Sequence, residues 1–393
     1  MKAGFYGVCS CQGLFQQDLK FKKEEIMKKW MVLMLAVGFV LTASFSAQAD
    51  SVLLPWIVKN RTVSTIVTLV NTADPGAQKV RFHLMYWYKA SPQNLPNERC
   101  EEVDFCVPTS FNDILVFDAA GNINHGAPLF GDTAVQGTKY TTVQGDALSL
   151  PVDAPRRAFL IATNEIYTTQ NCGAAQAAGG ENTIYAEAMV VDIATGAAWG
   201  YDGYNPNNPG AAPNPQRMDF SDNATAGNQD ALGQIVASNN NEYAFLTIMP
   251  PSVLTTRMFV TPVAANMTQV GAGQVGVTAQ LYCDIGSNLG GMYDYDERCI
   301  SFDTVKGVIC TDGSDVNTYV SSGAWTIFAN TRAEGWAYLS LPNRNVTTST
   351  GIQVPTTRQA AIGKLEFTAS GTSIDGTNIG GALNNFIWLR GRI

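Results

Sequence analysis

From Ser51 onward the apolar positions of this chain recur mostly every second residue, in short runs broken by Gly, Pro, Asn and Asp. The clearest run is Thr62 to Asn71. There Val63, Thr65, Val67 and Leu69 share one face, and Ser64, Ile66, Thr68 and Val70 the other. A period of two predicts a β-strand. Val80 to Lys89 repeats the pattern, with Phe82, Leu84, Tyr86 and Tyr88 on a core face and Arg81, His83, Met85, Trp87 and Lys89 on a mixed one. Residues 91–113 read as a Pro- and acid-rich excursion. Strands are also predicted at 51–58, 114–118, 158–163, 183–193 and 197–204, the last two joined by a hairpin turn at Ala194-Thr195-Gly196. The runs resume at 243–249, 257–263, 274–282, 300–305, 324–330, 336–341, 361–368 and 386–389, with no sustained 3.6-residue period. The expectation is an all-β chain of two β-sandwich domains, immunoglobulin-like or jelly-roll-like, over residues 50–205 and 242–393. Residues 206–241, rich in Pro, Asn and Gly, read as a linker or long loop between them.

Met27 to Asp50 departs from this pattern. Lys28 and Lys29 precede an apolar run from Trp30 to Leu41, and Ala47-Gln48-Ala49 supplies small residues at a cleavage site. These are the parts of a secretory signal peptide, residues 27–49, cleaved after Ala49. The run is shorter than the roughly 20 apolar residues of a spanning helix. Residues 1–26 read as a mis-called upstream extension, with translation starting at Met27. The expected product is secreted, at the cell surface or in the periplasm, with no membrane span.

Removing residues 1–49 changes the formal charge from −8 to −11 and leaves 19 basic against 30 acidic side chains. Such a chain is a poor partner for nucleic acid or anionic lipid, which need clustered Lys and Arg. Six cysteines remain, Cys100, Cys106, Cys172, Cys283, Cys299 and Cys310, and an exported chain with an even count predicts disulfides. Cys100 and Cys106 are close enough in sequence to clip a local loop. Cys283, Cys299 and Cys310 leave one over, so Cys172 is expected to bridge to the second domain.

The chain carries no Cys-x-x-Cys-His, HExxH, GxSxG or P-loop pattern. His83, within a strand, and His125, in a Gly/Asn/Pro loop, read as structural or exposed without a partner motif. Asp294, Asp296, Glu297 and Asp303 form an acidic loop whose oxygens suit Ca²⁺, although Arg298 and Cys299 break the EF-hand spacing. Glu187, sharing a strand face with Tyr185, Met189 and Val191, reads first as a solvent-exposed or Arg-paired carboxylate near a sheet edge and otherwise as a general acid. A glycoside-type hydrolase needs a second carboxylate, for which no residue stands out. Trp87, Trp199, Trp336 and Tyr338 are candidates for stacking on a ligand, against the more frequent use of strand aromatics as core.

Leu53-Leu54-Pro55-Trp56, TIVTLVNT, AEAMVVDIATGAAWGY and MYDYDE together resemble a group of exported, uncharacterised β-rich proteins of bacteria with extracellular cytochromes. The resemblance implies export and a cell-envelope setting. The expected function is that of a non-enzymatic protein of the cell envelope or surface, acting in binding or assembly on a protein or polysaccharide. The alternatives are a carbohydrate-binding or calcium-assisted adhesin module and a secreted glycoside-type hydrolase.

Overall fold

The computed structural model describes residues 48–49, 51–73, 80–89, 100–123, 128–130, 141–142, 148–150, 156–166, 176–177, 183–204, 235–237, 243–263, 276–284, 289–331, 334–342, 346–347, 353–354, 359–368, 384–389 and 391–392. Residues 1–47, His125, Cys172 and the stretch 206–241 apart from Ile235–Ala237 lie outside them. The alternating runs of the first half become β1 (Ser51–Lys59), β2 (Val63–Asn71), β3 (Val80–Lys89), β4 (Cys100–Thr109), β5 (Ile114–Asp118), β6 (Arg156–Ile166), β7 (Ile184–Asp192) and β8 (Ala198–Asp202). The second half carries β9 (Tyr243–Ile248), β10 (Thr255–Val263), β11 (Gly276–Asp284), β12 (Leu289–Asp294), β13 (Cys299–Ser301), β14 (Val305–Ile309) and β15 (Asp312–Asp315). Then follow α1 (Ser322–Thr331), β16 (Gly335–Ser340), β17 (Gln359–Phe367) and β18 (Asn384–Trp388). The chain is all-β, and every pairing of these strands is antiparallel.

Four sheets result. Sheet I runs β8–β7–β2–β5 and sheet II runs β1–β6–β3–β4, while sheet III runs β18–β17–β10–β15. Sheet IV runs β13–β12–β11–β16–β9, with β14 on β11 and a further pairing of β12 with β16. Val67 and Leu69 of sheet I meet Phe82, Leu84 and Leu160 of sheet II in one core. Met258, Val260 and Ile362 of sheet III meet Leu246, Leu281 and Leu339 of sheet IV in another. The alternation therefore folds as two sandwich-like pairs of sheets, within one compact unit, Ser46–Ile393.

The two pairs share a junction. The second face of sheet II, Leu53, Met85, Trp87, Phe159 and Ile161, packs with Val263 and Ala361 from the second face of sheet III. Phe259, Leu365 and Phe367 of sheet III also join the first core, beside Trp56, Trp199 and Tyr201. The layers thus lie in the order I, II, III, IV. Strands of the middle layers are covered on both faces, which is why β17 is buried throughout its length. Polar ties cross the same junction. Arg157 Nη1 donates to Asp312 Oδ1 (2.9 Å) and to the Gly313 carbonyl (2.8 Å), and Thr261 Oγ1 to the Pro55 carbonyl (2.8 Å).

Three expectations are corrected. Residues 100–109 are not an irregular excursion but β4, paired along β3 from Val80 to Lys89. For the same reason Cys100 and Cys106 do not pair with each other. Six residues of strand hold them roughly 20 Å apart, whereas a disulfide needs Cα atoms about 4.4–6.8 Å apart. Cys100 bonds instead to Cys310, with Cα atoms 5.6 Å apart and 210 residues between them, making the covalent link between the halves that was assigned to Cys172. Cys106 is disulfide-bonded to a partner outside the described residues. Cys283 pairs with Cys299. Finally, 324–330 is the helix α1, with Ala324 and Phe328 one turn apart on its buried side and Ser321 Oγ accepting the Ala324 N–H at 3.4 Å.

The Ala194–Gly196 hairpin is found as expected. Gly196 adopts φ +74°, and Asp192 accepts the Ala194 N–H and the Thr195 hydroxyl.

Candidate functional site

Sheet IV turns its second face outward, and that face is aromatic. On β9 the residues Ala244, Leu246 and Ile248 point into the core, so Tyr243, Phe245 and Thr247 point out. On β16 Ala337 and Leu339 point in, so Trp336 and Tyr338 point out, and Tyr293 of β12 joins them. Phe245 is 44% exposed. Trp336 lies between strands β9 and β12, with Phe245 on one side (ring centroids 5.1 Å, 29° between planes) and Tyr293 on the other (4.4 Å, 31°). Tyr338 stands perpendicular to Trp336 at 5.2 Å, and Tyr243 stands nearly so to Tyr338 at 4.9 Å. The rings form a ridge crossing three strands.

Local backbone chemistry sets this ridge. Gly335 lies opposite Asp294, where a Cβ would collide with the Tyr293 carbonyl, so glycine lets β12 approach β16 closely enough for Tyr293 to reach Trp336. The acidic loop anchors this same end of β12. Asp294 is buried and its Oδ1 accepts the N–H groups of Asp296 and Arg298, each at 2.9 Å. Glu297 takes the left-handed turn position at φ +61°, and Asp303 Oδ1 accepts from Gln280 Nε2 at 2.9 Å. Asp294, Asp296 and Glu297 thus lie at the turn between β12 and β13, and Asp303, beyond β13, is tied to β11. Among the described residues no three His, Cys, Asp or Glu side chains gather as metal ligands.

Of the four stacking candidates, Trp336 and Tyr338 fall on the ridge. Trp87 and Trp199 are corrected to interior residues. Trp87 stacks on Phe159 (6.3 Å, 14°) under sheet III, and Trp199 on Phe386 (4.8 Å, 15°), leaving no open ring face. Phe245, Tyr243 and Tyr293 were missed. The alternation of aromatic with small or aliphatic residues in Tyr243-Ala244-Phe245-Leu246 was the available signal.

Two titratable groupings lie elsewhere. Glu187 sits on the outward face of sheet I, where its Oε2 accepts the Tyr185 hydroxyl at 2.9 Å, opposite Asp202 in β8. Burial, and then the Glu187 charge, raises the Asp202 pKa. On sheet II, Arg81 Nη2 lies 3.1 Å from Glu165 Oε2, and His83 Nδ1 lies 2.9 Å from Glu165 Oε1 with Nε2 3.7 Å from Asp104. Burial alone would lower the His83 pKa, but bonding to Asp104 and Glu165 outweighs it and raises it to about 9. Burial, reinforced by Asp104, pushes Glu102 up to about 7. At neutral pH His83 is therefore a cation locked between carboxylates, not a free base.

A pocket beside Trp325, lined by Met249, Leu254 and Asp315 among others, measures about 110 Å³. That is well below the roughly 300 Å³ at which small-molecule sites begin. No helix among the described residues is long and apolar enough to cross a membrane. No protein-family model, curated protein or solved structure matches the chain.

Proposed function

We propose that this is an exported, non-enzymatic protein of the cell envelope or surface that acts in binding or assembly, with the aromatic ridge of sheet IV as its contact surface. The observation that carries the reading is the ridge itself, with Phe245 at 44% exposure. Contiguous exposed aromatic surface is uncommon on proteins that work alone, and Tyr, Trp and Phe dominate the energetics of protein contacts. The ring geometry favours a protein partner over a sugar. A pyranose stacks on an open ring face, and both faces of Trp336 are already taken by Phe245 and Tyr293.

Cell fractionation tests this. The native chain is expected to sediment with the envelope or surface fraction, and Phe245→Lys, expressed at the same level, to appear in the soluble fraction. Equal retention of both overturns the ridge as the contact surface. Retention that soluble polysaccharide competes away would move the reading to the carbohydrate-binding alternative.

A further inference from the structure

Among the described residues no other sheet covers the outer face of sheet I, as none covers that of sheet IV, although the 119–123 turn closes over its Ser64 and Asp118 end. The burial of β2 and β7 alternates, so Ile66 and Val70, with Met189 and Val191, point away from the core and remain partly exposed. Exposed sheet faces ordinarily carry charged and small polar side chains, whereas this one is largely aliphatic. Its carboxylates are Glu187 and Asp202, facing each other across β7 and β8. The ridge of sheet IV has the complementary deficit. The outward residues of β9 and β16 carry no charge, and the hydroxyls of Tyr243, Tyr293 and Tyr338 make no hydrogen bond among the described residues.

We propose that the protein associates with itself head to tail, the outer face of sheet I of one copy seating on the aromatic ridge of sheet IV of the next. Pairing sheet I with itself would bring two sets of Glu187 and Asp202 together in an apolar contact, which like charges oppose. Pairing the ridge with itself would give its tyrosine hydroxyls only one another as partners, which are weaker acceptors than a carboxylate. Sheet I against sheet IV instead buries apolar surface on both sides and gives the carboxylates hydroxyl donors. Because the two surfaces differ, the contact is heterologous and continues to further copies unless the rotation closes a ring. This rests on the reading of the ridge as a contact surface and commits it to a second copy of this chain.

Sedimentation velocity of the purified protein over a concentration series, with two variants, tests the proposal. Met189→Lys blocks sheet I and Phe245→Lys blocks the ridge. The wild type is expected to grow past dimer as concentration rises, and each variant alone to remain monomeric. An equimolar mixture of the two should give a dimer that grows no further, because each supplies the surface that the other lacks. Circular dichroism checks the fold of both, and Thr68→Arg with Ser340→Arg replaces the pair if either fails to fold. A wild type that stays monomeric throughout, or either variant dimerising alone, overturns the proposal. If the wild type is monomeric while Phe245→Lys still loses envelope retention, head-to-tail association falls and the ridge stands as a surface for another protein.

Discussion

Two aromatic clusters of similar composition have opposite fates in this molecule. At the junction, Trp56 is 2% exposed and lies 4.8–5.5 Å from the rings of Trp388, Tyr201, Phe386 and Phe259, the five rings coming from four strands of three sheets. On the ridge, Trp336 has three aromatic neighbours within 5.2 Å, yet the cluster has solvent above it. Pairwise ring geometry hardly separates the two. What separates them is whether another layer follows, so aromatic contacts hold the fold in one place and present a surface in the other.

The largest effect that would break this contrast is the same truncation made twice. Trp56→Ala is expected to cost about 3–5 kcal/mol in urea unfolding, the range for a large aromatic deleted from a packed interior. Trp336→Ala should cost about 1–2 kcal/mol, because its ring is partly exposed and lies on the outer face of its sheet. Equal costs would mean that the ridge is interior in all but name. Next comes the covalent tie. Replacing Cys100 and Cys310 with Ser should cost about 2–5 kcal/mol and separate the unfolding of the two halves into two transitions by calorimetry. A single undiminished transition would show that the junction coheres without the bridge.

A pH series sharpens the contrast between sheet II, a middle layer, and the outward sheets. His83, only 17% exposed, has a folded pKa of about 9 against an ordinary 6.5, so its contribution is fully present below about pH 6.5 and is lost as pH rises to 9. The raised Glu102 works in the same direction between about 4.5 and 7. Stability should therefore fall across this range, by about 3 kcal/mol from His83 at most, and His83→Gln should flatten the decline above pH 6.5. The smallest expected effect is that of Phe245→Lys on stability, within about 0.5 kcal/mol by urea unfolding, although the same change is expected to abolish association.

The sequence was most legible where one strand face meets water. In β2 the alternation separated the two faces, Val67 and Leu69 lying in the core and Ile66, Thr68 and Val70 partly exposed, because sheet I is an outer layer. In β10 and β17 both faces are buried, so hydrophobic pattern could mark the strands but not say what covered them. The helix α1 spans ten residues, too few for its period to stand out from a strand carrying Ala324, Trp325, Ile327 and Phe328. Trp336 and Tyr338 could be singled out as aromatics two apart, but so could Tyr86 and Tyr88, which are buried. Layer order decides between such pairs, and layer order depends on contacts between residues more than a hundred positions apart.

The bridge from Cys100 to Cys310 has a consequence for biogenesis. Between its ends lie Cys106, Cys172, Cys283 and Cys299, all crossing before Cys310 if the chain is threaded amino end first. An oxidant acting on cysteines as they emerge would join neighbours, and Cys100 with Cys106 would be the first pair available. The mature connectivity is reached only by withholding oxidation of Cys100 until the second half is made, or by undoing an earlier bond. Maturation of this protein therefore calls either for oxidation of Cys100 delayed until Cys310 is available or for a thiol–disulfide isomerase activity that undoes a premature bond.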